Sequence, residues 1–187
     1  MDADRIGEAM AAVPRRRFLP AAQRWRSSYD GPLPIGHGQT CSQPRTVVDM
    51  LRLLDVRPGD RVLDVGSGSG WTTALLAVLT GPEGSVLGLE LEPDLVRQGQ
   101  QHLGHDRPWA RIEEARPGLL GDPEGAPYDR ILVSAGAREL PDALVDQVAA
   151  PGRMVVPVAG ELLLVEVAPD GSRTRTGHGA YRFVPLR

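Results

Sequence analysis

Arg61-Val62-Leu63-Asp64-Val65-Gly66-Ser67-Gly68-Ser69-Gly70-Trp71-Thr72-Thr73 decides the fold. Val62 to Val65 is a short apolar run with a turn signal directly behind it, which predicts a buried strand. Gly66, Gly68 and Gly70 follow as G-x-G-x-G, with serines between them. Trp71 to Val78 then predicts a helix, built on Ala74, Leu75, Leu76 and Ala77. Strand, glycine turn and helix together open a nucleotide-binding α/β sheet, and the loop falls at the strand's carboxyl end, where such sheets take ligands. Glycine lets the backbone turn sharply and a ligand come close with no Cβ between them. The dinucleotide pattern is G-x-G-x-x-G, with a pyrophosphate on the helix N-terminus. Here the third glycine comes one residue early, which suits a ligand without phosphates, and S-adenosylmethionine is the common one. Alone, the three glycines are also compatible with a tight turn that binds nothing.

The next strand strengthens the ligand reading. Ser85 to Glu90 (SVLGLE) ends in an acid about 20 residues beyond the loop, where this fold sets a carboxylate against ribose hydroxyls. A carboxylate can accept both hydrogen bonds of a vicinal diol. The plainer reading of Glu90 is a solvated strand-end acid.

The chain has 187 residues, enough for one α/β domain with a sizeable core. Hydrophobic residues make up 41% and charged residues 24%, ordinary for a globular protein. A formal net charge of −3 argues against a nucleic-acid partner. The single cysteine, Cys41, excludes an intrachain disulfide and a cysteine-cluster metal site. His102, His105 and His178 make no metal-ligand pattern, so no metal is expected. No apolar run reaches the ~18 residues of a membrane helix, and no signal peptide is visible. The expectation is a monomeric cytoplasmic protein that does not engage membranes.

Outward from the loop, elements alternate. Asp4 to Ala12 predicts a helix that stops at Pro14. Arg15-Arg16-Arg17 reads as a solvated helix exit, with Phe18, Leu19 and Trp25 packing this arm onto the domain. Ser27 to Pro44 is rich in glycine and proline and reads as loop with little regular structure. Arg45 to Leu54 is an amphipathic helix. Pro93 to Leu103 is a helix with proline at its start. Strands are expected over Trp109 to Glu114, Asp129 to Ser134, Arg153 to Val158, Glu161 to Val167 and Ala180 to Leu186, with a helix over Pro141 to Val148. Early alternation followed by clustered strands predicts a mixed seven-stranded α/β sheet with an antiparallel edge. One domain spans 1–187, with an arm and loop over 1–44 and the α/β core over 45–187.

Several stretches together resemble the protein-L-isoaspartate (D-aspartate) O-methyltransferases. Leu33-Pro34-Ile35-Gly36-His37-Gly38-Gln39-Thr40-Cys41-Ser42-Gln43-Pro44 is the most specific, being similar to LPIG-x-GQTISQP with Cys41 in place of isoleucine. Leu63 to Gly70, Ala126 to Ile131, Pro151-Gly152-Arg153 and Arg182 to Leu186 match in order, so the resemblance covers nearly the whole chain. It implies a Rossmann-like S-adenosylmethionine-dependent methyltransferase fold. It also implies methyl transfer to the α-carboxylate of an L-isoaspartyl residue in a damaged protein or peptide, which is protein repair. Ser42 matches the active-site serine. Gln39, Thr40, Cys41, Asp64, Gly66, Ser67, Gly68, Gly70, Glu90 and Leu91 fall on cofactor positions, and Pro117 and Gly118 fall at the adenine end. There the chain departs: Arg116-Pro117-Gly118 stands where the family has Gly-Asp-Gly, losing a carboxylate and a backbone N–H.

The residues are consistent with that chemistry. A carboxylate is ionised near neutral pH and needs no general base, and no nucleophile elbow is present. What remains for the protein is alignment and exclusion of water. Ser42 is expected to hydrogen-bond and orient the substrate carboxylate, with Thr40 and Cys41 shaping the methyl-donor side. Trp71 is expected to pack the helix start, His37 to be a surface histidine, and Cys41 to act as a small buried hydrophobe. Two other readings stand beside repair: a same-fold enzyme acting on aspartate in a dedicated peptide, and a non-catalytic relative that binds cofactor or peptide.

Overall fold

A computed structural model describes residues 3–187. Helix α1 (Ala3–Ala12) and two 3-10 turns (Arg15–Phe18 and Ala21–Arg26) precede a hairpin of β1 (Leu33–Gly36) and β2 (Gln39–Cys41). Helices and strands then alternate: α2 (Pro44–Leu54), β3 (Arg61–Val65), α3 (Trp71–Thr80), β4 (Ser85–Glu90), α4 (Pro93–Leu103), β5 (Ala110–Glu114), β6 (Tyr128–Val133) and α5 (Asp142–Val145). Strands β7 (Val148–Val158), β8 (Glu161–Val167) and β9 (Arg173–Ala180) complete the chain's regular structure.

Seven strands form one sheet in the order β5-β4-β3-β6-β7-β8-β9. The first five are parallel, while β8 runs antiparallel to both its neighbours. From β3 the chain steps outward through β4 and β5, then returns to lay β6 on the other side. The carboxyl ends of β3 and β6 therefore flank the point where strand order reverses, and the crevice of such a sheet opens there.

Alternation along the strands fills two layers. Val62, Val86, Leu132 and Val155 meet Leu51, Leu54, Leu75, Leu76 and Leu95 from the helical layer. Leu63, Leu87, Ile131, Met154 and Val156 point to the opposite face, under Leu144, Val145 and Tyr128. Strands buried on both faces read as unbroken apolar runs, which is why β3, β4 and β6 are visible in the sequence. Proline opens both α2 and α4, where its missing N–H costs nothing.

Four expectations change. The 27–44 segment carries the β1-β2 hairpin, which turns on Gly36, His37 and Gly38, all with positive φ. The 141–148 helix shrinks to Asp142–Val145, because Val148 already pairs with Tyr128 as the start of β7. The last strand is Arg173–Ala180 rather than 180–186. That strand is exposed throughout and has almost no apolar side chains, so its backbone pairing with β8, with one ion pair from Arg173 to Asp146, holds it. The apolar residues behind it leave the sheet edge: Gly136 N donates to Val184 O at 2.7 Å and Leu186 N to Gly136 O at 2.9 Å, carrying 184–186 across the strand ends. In the arm, Phe18 and Leu19 are buried as expected, but Trp25 is 78% exposed.

Candidate active site

The cleft lies at the carboxyl ends of β3, β4 and β6. Its floor is the glycine loop. Gly66 N and Ser67 N both donate to Leu89 O, at 2.8 and 3.0 Å, tying the loop to the end of β4. Gly68 (φ 55) and Gly70 (φ 91) hold left-handed conformations. A Cβ on Gly70 would lie 2.9 Å from Ile112 Cδ1 and 3.1 Å from Gly99 Cα, so α3 can start against α4 only with glycine there.

Glu90 faces this loop from the end of β4. Its Oε2 accepts from Gly68 N at 2.8 Å, and its Oε1 accepts from Leu91 N at 2.8 Å and Glu92 N at 3.0 Å. A carboxylate offers about four acceptor sites. Three serve to shape the loop, leaving one on Oε2 toward the cleft, so Glu90 is both a structural brace and a candidate ribose acceptor.

Asp64, fully buried in β3, does not line the cleft; it sits beneath it. Thr72 and Thr73 hydroxyls donate to its Oδ2, each at 2.7 Å, while Oδ1 has no partner among the described residues. Burial pushes its carboxyl up to about 6, the hydroxyl hydrogen bonds oppose this and the Glu90 charge adds to it. Below about pH 4 the group is protonated folded or unfolded, and it contributes no pH dependence. Between about pH 4 and 6 the unfolded chain ionises first, so folding loses about 3 kcal/mol across that window and does not regain it above. Asp64→Asn abolishes this titration. Relative to the parent, its unfolding free energy should rise by about 3 kcal/mol between pH 3.5 and pH 7 in urea titrations; a pH-independent difference would contradict the assignment.

One wall is the hairpin: Ile35, Gln39, Thr40, Cys41 and Ser42 all line the cleft. Ser42 makes no side-chain hydrogen bond among the described residues, so its hydroxyl is free to meet a ligand. The wall is held from behind by Arg15. The expected solvated exit is wrong for this residue, whose side chain is buried. Its guanidinium donates to Cys41 O and Gly31 O, each at 2.8 Å, and to Tyr29 O at 2.9 Å. It also donates to Cys41 Sγ at 3.5 Å and lies 5.5 Å from the Trp71 ring centroid. Cys41 is thus buried as expected, with its thiol pushed up by burial, but it is an acceptor as well as a hydrophobe. Trp71 does two jobs, lining the cleft and donating Nε1–H to Val13 O at 3.0 Å.

At the far end the lining is Ala115, Arg116, Leu119, Leu120 and Gly121. Pro117 and Gly118 lie outside it. Leu119 N donates to Arg116 O at 3.0 Å, and this turn pushes its two central residues into solvent. The roof, Val184 to Arg187, and the strand-end pair Ser134 and Ala135 are not among the site residues expected from the sequence, which predicts most of the roof as a strand. The rule that ligands meet parallel strands at their carboxyl ends could have found Ser134; the roof does carry an apolar pattern and a family match, but both read as signs of a strand. His37 is absent from the lining, sitting instead 3.1 Å from Asp94 Oδ2 and 3.7 Å from Glu92 Oε2. Arg187 also reaches Glu92, at 2.7 Å, so hairpin tip and roof meet on the same acid.

Ser67 Oγ and Ser134 Oγ are buried, belong to residues that line the cleft and have no hydrogen-bond partner among the described residues. Buried hydroxyls are nearly always paired, so the residues present fit a polar ligand lying over the glycine loop. A candidate protein-L-isoaspartate O-methyltransferase from Plasmodium falciparum, in a crystal structure with S-adenosyl-L-homocysteine, superposes with a TM-score of 0.85 over 100% of this chain and 92% of that one, at 29% identity. Fold and cleft are those of the S-adenosylmethionine-dependent methyltransferases. Protein-L-isoaspartate O-methyltransferases of Methanopyrus kandleri and Aeropyrum pernix are 45% and 44% identical over 98% and 97% of the chain, covering 83% and 72% of their own lengths. The sequence model of Protein-L-isoaspartate(D-aspartate) O-methyltransferase matches residues 1–187, and the chain belongs to that family.

Proposed function

We propose that this protein methylates the α-carboxylate of L-isoaspartyl residues in damaged proteins and peptides, using S-adenosylmethionine. The observation that carries the reading is the place of Ser42, whose residue lines both the cofactor cleft and a second groove open to the outside. An acceptor entering from that groove meets the serine hydroxyl at the cleft wall.

Bound S-adenosylmethionine supplies an electrophilic methyl group on a sulfonium. Glu90 would accept from the ribose through its remaining Oε2 site, the Ser67 and Ser134 hydroxyls would meet further polar groups of the cofactor, and Leu91, Leu119 and Leu120 would offer it apolar surface at the far end of the cleft. That surface would pack against the ring by shape alone and would not replace the hydrogen bonds of the Gly-Asp-Gly the chain lacks. Ser42 donates to one oxygen of the acceptor carboxylate and aims the other. The acceptor is ionised at neutral pH, so no residue need take a proton. Val184, Pro185 and Leu186 roof the site and keep water away from it. A monomeric, cytoplasmic setting belongs to the same reading.

Matched peptides differing only in aspartate or isoaspartate test the proposal. Methyl transfer to the isoaspartyl peptide alone is the expected result. Transfer to the aspartyl peptide would point to a dedicated substrate, and cofactor binding with no transfer to either would point to a binding relative. Glu90→Ala removes the ribose acceptor and the loop brace together, and should weaken S-adenosylhomocysteine binding by at least about tenfold in calorimetry.

A further inference from the structure

The groove outside Ser42 is lined from the hairpin by Thr40 and Ser42, from α2 by Arg45 and Asp49, and from the segment after β9 by Tyr181 and Arg182. It shares Thr40, Ser42, Ser134 and Val184 with the cofactor cleft, so it is the approach to the serine hydroxyl. A second hollow continues on the other side of the same segment, lined by Arg138 and again by Arg182. Arg45, Arg138 and Arg182 are all exposed, and none has a carboxylate within 4.0 Å among the described residues. Asp30, near Arg45, accepts from that residue's backbone N–H at 3.1 Å. Among the described residues Asp49 is the one acid lining either hollow, and it is engaged: it accepts from Tyr181 Oη at 3.1 Å and lies 3.7 Å from Arg52. The approach to the methyl-transfer site is therefore a cationic groove on a chain whose formal net charge is −3.

Resting on the methyl-transfer reading, we propose that this enzyme selects among isoaspartyl peptides for those with an acidic residue close to the damaged position, Arg182 being the principal selector. An extended peptide advances about 3.3–3.6 Å per residue. Ser42, Arg45 and Arg182 line the same groove, so a carboxylate two or three residues from the isoaspartate is the one placed along that groove's guanidinium-bearing wall while the damaged residue occupies the Ser42 site. Arginine suits this role because its planar fork takes a carboxylate with two parallel hydrogen bonds. Arg182 lies between the two hollows and can serve a chain leaving in either direction.

The test is a panel of isoaspartyl peptides with glutamate, glutamine or lysine at each of the three positions on either side, assayed by kcat/KM at low and high salt. The expected result is about a fivefold advantage of glutamate over glutamine at the best position, shrinking toward unity near 0.5 M salt. Arg182→Gln should lower that ratio to about twofold or less, and Arg182→Glu should turn the preference toward lysine. A ratio of one in the parent enzyme, or a ratio untouched by both variants, overturns the proposal while leaving isoaspartyl methylation standing. Failure to methylate any peptide of the panel overturns the methyl-transfer reading, and this inference falls with it.

Discussion

Alanine in place of Ser42 should cut kcat/KM for an isoaspartyl peptide by about 10- to 100-fold, while the dissociation constant of S-adenosylhomocysteine changes less than about threefold. The magnitude is that of one hydrogen bond to a charged group, about 1.5–3 kcal/mol. It falls on turnover because no base or nucleophile is needed from the protein; alignment is what the cleft contributes. The separation of the two effects follows from geometry. The glycine loop and Glu90 form the floor of the cleft, and neither depends on Ser42, whose side chain makes no hydrogen bond within the described residues. Steady-state kinetics and calorimetry on the same variant decide it. Turnover within about threefold of the parent would remove Ser42 from the mechanism.

Arg15→Met should be strongly destabilising, because the Arg15 side chain is buried rather than solvated. It donates to three backbone carbonyls that converge from Tyr29, Gly31 and Cys41. Methionine fills part of the volume but withdraws the guanidinium from all three; Tyr29 O keeps Gly31 N at 3.0 Å, while the buried bonds to Gly31 O and Cys41 O are lost at about 1–3 kcal/mol each. A loss of about 3 kcal/mol or more in urea unfolding is expected. Backbone amides over residues 29–42 should lose hydrogen-exchange protection well before the sheet does. Since Cys41 O is one of the three acceptors, Ser42 loses its support too, and turnover should fall even where the variant remains folded. Arg15→Lys keeps the charge but can bridge fewer of the carbonyls, so it should fall between parent and methionine. A lysine variant with parental stability and turnover would show that charge alone, rather than the planar fork, holds the loop.

The sequence was most informative where local rules and burial agree. β3, β4 and β6 show as apolar runs because both their faces are covered, and the glycine loop shows because only glycine suits its backbone. Glu90 was legible for the same reason: a strand end at a set distance from the loop is a local property. β9 was not legible, because an exposed strand held by backbone pairing leaves no apolar pattern. The residues behind it do carry such a pattern, but it serves the roof of the cleft rather than a strand. Arg15 read as solvent-facing because three consecutive arginines look like surface, and nothing nearby in the chain announces the carbonyls of Tyr29, Gly31 and Cys41.

By itself, then, the order of residues determined the class of sheet, the family, the glycine floor and the identity of the serine wall. Tertiary structure decided which residues face one another across the cleft: Ser134 just beyond the end of β6, the Val184–Arg187 roof, the displacement of Pro117 and Gly118 into solvent, and the cationic approach around Arg182. The division has one cause. Backbone conformation and strand burial are set by neighbours within a few positions, whereas the cleft's walls and roof come from segments more than a hundred residues apart, brought together only when the sheet closes.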